Sequence, residues 1–221
     1  MARGAEPSLT DRVVGSPRLR RMQVTARVLS RALARLEIVG AERIPADGPV
    51  LVAVNHRDFL DGPVLFGLLR RPITCLVKAE AFGHAWGPLL VRAGQVPVVR
   101  DTIDPAPVRL CLDVLRAGGA VGIFPEGTRG VGRLDTARPG VGWLALRSGA
   151  TVVPVAFAGT DRMIHDRGLA RPRVRVLVGE PMPFDEVPRD RPLNRAVYAA
   201  AAERVRVALA ALVAENDSAA T

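Results

Sequence analysis

Short, almost uninterrupted apolar runs recur along the chain and alternate with stretches whose apolar residues fall at helical spacing. Residues 50–54, 73–77, 96–99, 121–124, 152–157 and 173–178 read as strands, and residues 36–39 are a further candidate ahead of them. Continuous apolar runs suit parallel strands covered on both faces. The run at 173–178 opens instead by alternating arginine and valine, which predicts a half-exposed edge strand. Pro97 and Pro154 each fall inside a proposed strand. Proline cannot donate to a ladder, so the pattern alone argues against a regular central place for either.

Helical spacing covers residues 61–69, 81–93, 141–147 and roughly 191–215. A further helix opens at Asp104-Pro105, carries Val108, Leu112 and Leu115, and ends at Gly118-Gly119. The alternation predicts the α/β class, with a mostly parallel central sheet flanked by helices. A single domain over residues 18–215 is expected, with 1–17 and 216–221 as loose ends.

Residues 18–36 stand apart, with six arginines and no acid. Met22, Ala26, Leu29, Leu33 and Leu36 share one helical face, and Arg27, Arg31 and Arg35 form an adjacent stripe. Two readings fit this pattern. A basic amphipathic helix can lie on an anionic membrane, and an ordinary surface helix can pack its leucine face on the sheet.

Composition narrows the function classes. A chain of 221 residues, 48% hydrophobic and 24% charged, is long enough for one domain with a proper core. The net charge of +9 favours anionic partners, although the bias of 30 arginines to one lysine discounts part of that signal. The lysine, Lys78, lies between Val77 and Ala79, which excludes a Walker A phosphate loop. Cys75 and Cys111 form neither a metal cluster nor a disulfide framework, so a reduced, cytoplasmic setting is expected. Neither a secretory signal nor an 18-residue apolar run is evident, so a soluble or membrane-surface protein is expected and not an integral one.

Three polar clusters follow apolar runs directly: Asn55 to Asp61, Arg100-Asp101, and Pro125 to Arg129. In an open parallel sheet, ligands bind beyond the carboxyl ends of the strands. His56 and Asp61 can meet if the histidine ends a strand and the aspartate sits in the first turn of the next helix. The carboxylate would then hold one ring nitrogen and leave the other as a base. A helix-capping histidine with Asp61 near the helix N-terminus fits the spacing as well. Glu126 and Arg129 offer an acceptor for a hydroxyl and a fork for phosphate, or a local salt bridge, and Arg100 offers a second phosphate contact.

These residues resemble the glycerolipid acyltransferases typified by 1-acyl-sn-glycerol-3-phosphate acyltransferase. Asn55, His56 and Asp61 match that family's N-H-x-x-x-x-D block, and Gly94 to Arg100 its second block. Phe124 to Arg129 match the F-P-E-G-T-R block, and Val153-Pro154-Val155 the fourth. The chain departs from the family at Asp58 and Gly130, where serine is common, and at Arg138, where lysine is common.

The resemblance implies acyl transfer from acyl-CoA or acyl carrier protein to the free hydroxyl of 1-acyl-glycerol-3-phosphate, forming phosphatidic acid. His56 and Asp61 would be catalytic, and Arg100, Glu126, Gly127, Thr128 and Arg129 would bind the acceptor. No metal or other cofactor is implied, and no nucleic acid partner. The helix over 18–36 would rest on the anionic inner face of the cell membrane. Two alternatives remain at this point: another lipid acceptor, such as lyso-ornithine lipid or a glycolipid, and a non-catalytic binder of anionic lipid.

Overall fold

The computed structural model describes residues 8–99, 104–126, 134, 136–165, 171–188 and 190–220. A seven-stranded sheet runs in the order β1 (Arg35–Val39), β7 (Arg173–Val178), β6 (Thr151–Ala158), β2 (Val50–Val54), β5 (Ala120–Ile123), β3 (Ile73–Lys78) and β4 (Val96–Val98). Every neighbouring pair is parallel except β6 and β7. Val50 to Val54 are all fully buried, which is why β2 reads as an unbroken apolar run.

Helices cover both faces. The α5 (Ala106–Arg116), α6 (Gly140–Ser148) and α8 (Arg195–Ala220) helices bury one face with Leu51, Val121, Val152 and Ala156. On the other, α3 (Asp61–Leu68) packs Val64 and Leu65 against Val52, Val54, Val153 and Phe157. α2 (Pro17–Leu33) lies on α3. Gly67 permits that contact, because a Cβ there would stand 2.8 Å from the Arg27 backbone nitrogen. The shorter helices are α1 (Leu9–Val13), α4 (Gly87–Arg92) and α7 (Arg162–His165).

Several expectations need correction. The strand at 173–178 is interior, because β1 pairs along its free side and Glu37 of β1 takes the Arg175 guanidinium at 3.1 Å. The helix expected over 81–93 is a 3-10 turn, Ala79–Gly83, followed by α4. Pro88 falls in the first turn of α4, where its missing N–H is harmless, whereas one continuous helix would place it in the interior. Residues 8–17 are not a loose end: Ser8 and Asp11 cap α1 reciprocally. Nor are residues 216–220, which continue α8 and bury Asn216.

Both prolines find sites that tolerate them. Pro97 lies on β4, the edge strand. Pro154 lies in interior β6, but its carbonyl accepts the Gly179 N–H at 2.9 Å and the β7 ladder begins only at Val155. Its missing N–H therefore falls in the gap between the Val152–Met182 bridge and the start of the β7 ladder.

Of the two readings of α2, the one that packs its leucine face on the sheet is not what the structure shows. Leu29 and Leu33 are exposed, at 57% and 45%, and the buried positions are Leu19, Gln23 and Ser30. Carbonyls near the C-terminus of α3 are the reason. Gln23 donates to Phe66 O and Arg71 O, and Arg27 donates to Gly67 O at 2.8 Å and Leu69 O at 3.0 Å. These bonds satisfy acceptors that a helix end leaves open. Arg27, half-buried, is therefore engaged by the end of α3 and does not stand in a solvent-facing stripe. Among the described residues no helix is long and apolar enough to cross a membrane.

Candidate active site

The carboxyl ends of β2 and β5 lie side by side at the centre of the sheet, so the loops after Val54 and Ile123 meet there. Asn55 leaves β2 fully buried. Its side-chain amide donates to Phe157 O at 3.0 Å, and its oxygen accepts the Phe157 N–H at 2.7 Å. A side chain thus adds one more rung to the β2–β6 pairing and fixes where the next residue starts.

That residue is His56. Its Nδ1 lies 2.8 Å from Oδ2 of Asp61, the first residue of α3 and wholly buried. The same oxygen accepts the Arg57 N–H at 2.6 Å and the Asp58 N–H at 2.8 Å. Asp58 in turn accepts the Leu60 N–H at 3.2 Å. These bonds curl the loop so that two residues five apart come into contact, and they give Asp58 a turn-forming role. An ionised Asp61 requires a proton on Nδ1, which leaves Nε2 as the basic nitrogen.

The second wall comes from β5. Phe124 packs its ring on the imidazole, with centroids 4.4 Å apart. Glu126 follows, half-buried beside His56, Arg57 and Asp61. Burial pushes its carboxyl pKa up. The His56 amide and the charges of His56 and Arg57 pull it down, while Asp61 adds to the rise. Glu126 Oε1 and Asp61 Oδ1 are buried with no hydrogen-bond partner among the described residues.

The second block, which opens at Gly94, is set by side-chain bonding as well. Gln95 accepts the Cys75 N–H at 2.9 Å and donates to Ile73 O at 3.1 Å, which joins the chain to β3 just before β4 begins. Gly94 turns it there at φ +69°, and a Cβ would meet Val13 Cγ2 at 2.5 Å. The structure therefore brings together His56, Asp61 and Glu126. Arg100, Gly127, Thr128 and Arg129 lie outside the described residues.

Two features escaped the motif reading. Trp86, 44% exposed, stacks on His84 and meets Phe59 of the His56 loop at 5.6 Å between centroids. Arg57 reaches across to Asp217 near the end of α8, a partner 160 residues away that no local spacing signals.

Comparison with known proteins bears on the same segment. The acyltransferase family model matches residues 35–158, which include Asn55, His56, Asp61 and Glu126. The chain is 28% identical over 151 residues to the 1-acyl-sn-glycerol-3-phosphate acyltransferase of Bacillus subtilis, a match covering 66% of this chain and 73% of that one. It is 30% identical over 158 residues to the chloroplastic 1-acyl-sn-glycerol-3-phosphate acyltransferase LPAT1 of Arabidopsis thaliana, covering 67% of this chain but 44% of the plant protein. Its fold is that of the crystal structure of the 1-acyl-sn-glycerophosphate (LPA) acyltransferase PlsC from Thermotoga maritima. That likeness has a TM-score of 0.61 at 21% identity and covers 88% of this chain and 79% of the other. With more than half of its length matched by the family model, the chain belongs to the acyltransferase family.

Proposed function

We propose that the protein transfers an acyl group from acyl-CoA or acyl carrier protein to the free hydroxyl of 1-acyl-glycerol-3-phosphate, forming phosphatidic acid. The observation that carries this reading is the 2.8 Å contact between His56 Nδ1 and Asp61 Oδ2. In the proposed reaction, His56 Nε2 takes the proton of the acceptor hydroxyl as its oxygen attacks the thioester carbonyl carbon. The tetrahedral intermediate collapses, the C–S bond breaks, and the imidazolium returns the proton to the leaving thiolate. Asp61 holds the ring and stabilises its charged form, the arrangement from which a general base draws about 10²–10⁴ in rate. Two relatives named for this reaction support the choice of acceptor.

In this reading Glu126, Gly127, Thr128, Arg100 and Arg129 hold the acceptor, with the arginines on its phosphate, and no cofactor takes part. The outward Val24, Val28, Leu29 and Leu33 of α2 support a peripheral place on the inner face of the cell membrane. The test is release of free thiol from acyl-CoA or acyl carrier protein in the presence of 1-acyl-glycerol-3-phosphate, with phosphatidic acid identified by mass. Thiol release with another lipid acceptor and none with this one would replace the acceptor. Equal rates for wild type and His56→Ala would end the mechanism.

A further inference from the structure

His56 sits between two residues whose side chains leave the loop and are tied down elsewhere. Asn55 is bonded to Phe157 of β6. Arg57 gives its backbone N–H to Asp61, and sends its guanidinium to α8, where Nη2 reaches Asp217 Oδ1 at 2.5 Å and also contacts Oδ2. The end of α8 is itself pinned to the sheet. Asn216, fully buried, donates to Ala156 O at 2.9 Å and Arg175 O at 3.2 Å, and accepts Arg175 Nη1 at 3.1 Å. Both anchors of the His56 loop therefore refer back to adjacent residues of β6, Ala156 and Phe157.

We propose that the Arg57–Asp217 ion pair is a strap from the last helix that positions the His56 loop, which makes Arg57 and Asp217 positioning residues for the reaction. This rests on the reading of His56 as the base. The pair is only partly shielded, with Arg57 20% and Asp217 45% exposed at their side chains, so its contribution to stability is modest. What it does is geometric. Its carboxylate anchors the Arg57 guanidinium to α8, while the Arg57 N–H is bonded to Asp61 Oδ2. Without Asp217 the guanidinium loses its anchor on α8, and the Arg57 N–H shifts off Asp61 with it. Because that N–H shares Oδ2 with His56 Nδ1, the ring loses its setting while the core stays intact.

The test uses the full chain and the variants Asp217→Asn, Asp217→Glu, Arg57→Gln and the double variant Arg57→Gln with Asp217→Asn. Glu203→Gln, on the exposed side of α8, is the control. Asp217→Asn is expected to lower kcat about tenfold, with both substrate KM values within about twofold and the melting temperature unchanged. Amide exchange at Arg57 and Asp58 should quicken. Asp217→Glu should restore most of kcat, and the double variant should be no worse than Arg57→Gln alone. Wild-type kcat and wild-type exchange in Asp217→Asn would overturn the strap, as would additive losses in the double variant. If the wild-type protein transfers no acyl group to the offered acceptor, the functional reading fails by itself. The exchange measurement then decides the strap, and unchanged protection of residues 56–61 in Asp217→Asn refutes it.

Discussion

Asn55 and Phe157 exchange two hydrogen bonds across 102 residues of chain, from the first residue beyond β2 to the penultimate residue of β6. Both residues are fully buried, so neither Phe157 backbone group has water to turn to. Asn55→Ala should therefore cost roughly 1–3 kcal/mol for each orphaned group. The urea midpoint should fall accordingly, and activity with it. A midpoint at the wild-type value would mean that this rung does not hold the loop.

Asp61→Asn removes the charge that orients His56 but keeps an oxygen able to accept from the loop. The expected outcome is a loss of about 10²-fold or more in kcat, with the fold retained and both KM values little changed. Steady-state kinetics beside a thermal melt checks it. A kcat within about threefold of wild type would leave Asp61 with a structural role only.

Glu126 links pH to stability. Its pKa is raised in the folded protein above the ordinary 4.5, chiefly by burial, so the folded state holds this proton more tightly than the unfolded chain does. The favourable contribution is complete below the unfolded value and is lost as pH rises through the raised folded value. At neutral pH the carboxylate is therefore a burden that Glu126→Gln removes. Chemical denaturation should find the variant more stable than wild type at pH 7, with the difference shrinking toward pH 4.5 and below. A difference independent of pH would contradict this. Acyl transfer by the variant should fall, since the charged acceptor is gone.

The outward face of α2 gives a further expectation. Leu29→Glu with Leu33→Glu should abolish flotation with anionic vesicles while leaving the melting temperature unchanged, because both side chains face solvent. Raising salt should weaken vesicle binding of the wild type, since screening shortens the reach of Arg31 and the other outward arginines. Arg27→Glu, in contrast, should destabilise the fold by stranding Gly67 O and Leu69 O. Flotation of the double leucine variant at the wild-type level would assign the membrane contact to another surface.

Legibility followed the range of the forces involved. The Val-rich runs of β2 and β6 were readable because both their faces are covered. The meeting of His56 with Asp61 was readable as a possibility, because the turn that closes it is made by residues inside the motif. Long-range partners were not readable. Arg173–Val178 looked like an edge because Arg175 is matched by Glu37 and Asn216, both distant in sequence. The choice between the two readings of α2 was not legible, because apolar periodicity does not register the open carbonyls that engage Gln23 and Arg27. Nothing near Arg57 in the sequence points to Asp217.

The central claim is that His56, held by Asp61, is the base of an acyl transfer to 1-acyl-glycerol-3-phosphate. Its most direct test compares wild type with His56→Ala for coupled production of free thiol and phosphatidic acid from an acyl thioester, both proteins shown folded by thermal melt. The expected result is equimolar thiol and phosphatidic acid from wild type and a loss of about 10²–10⁴ in the variant. Phosphatidic acid formed at the wild-type rate by folded His56→Ala protein would contradict the account.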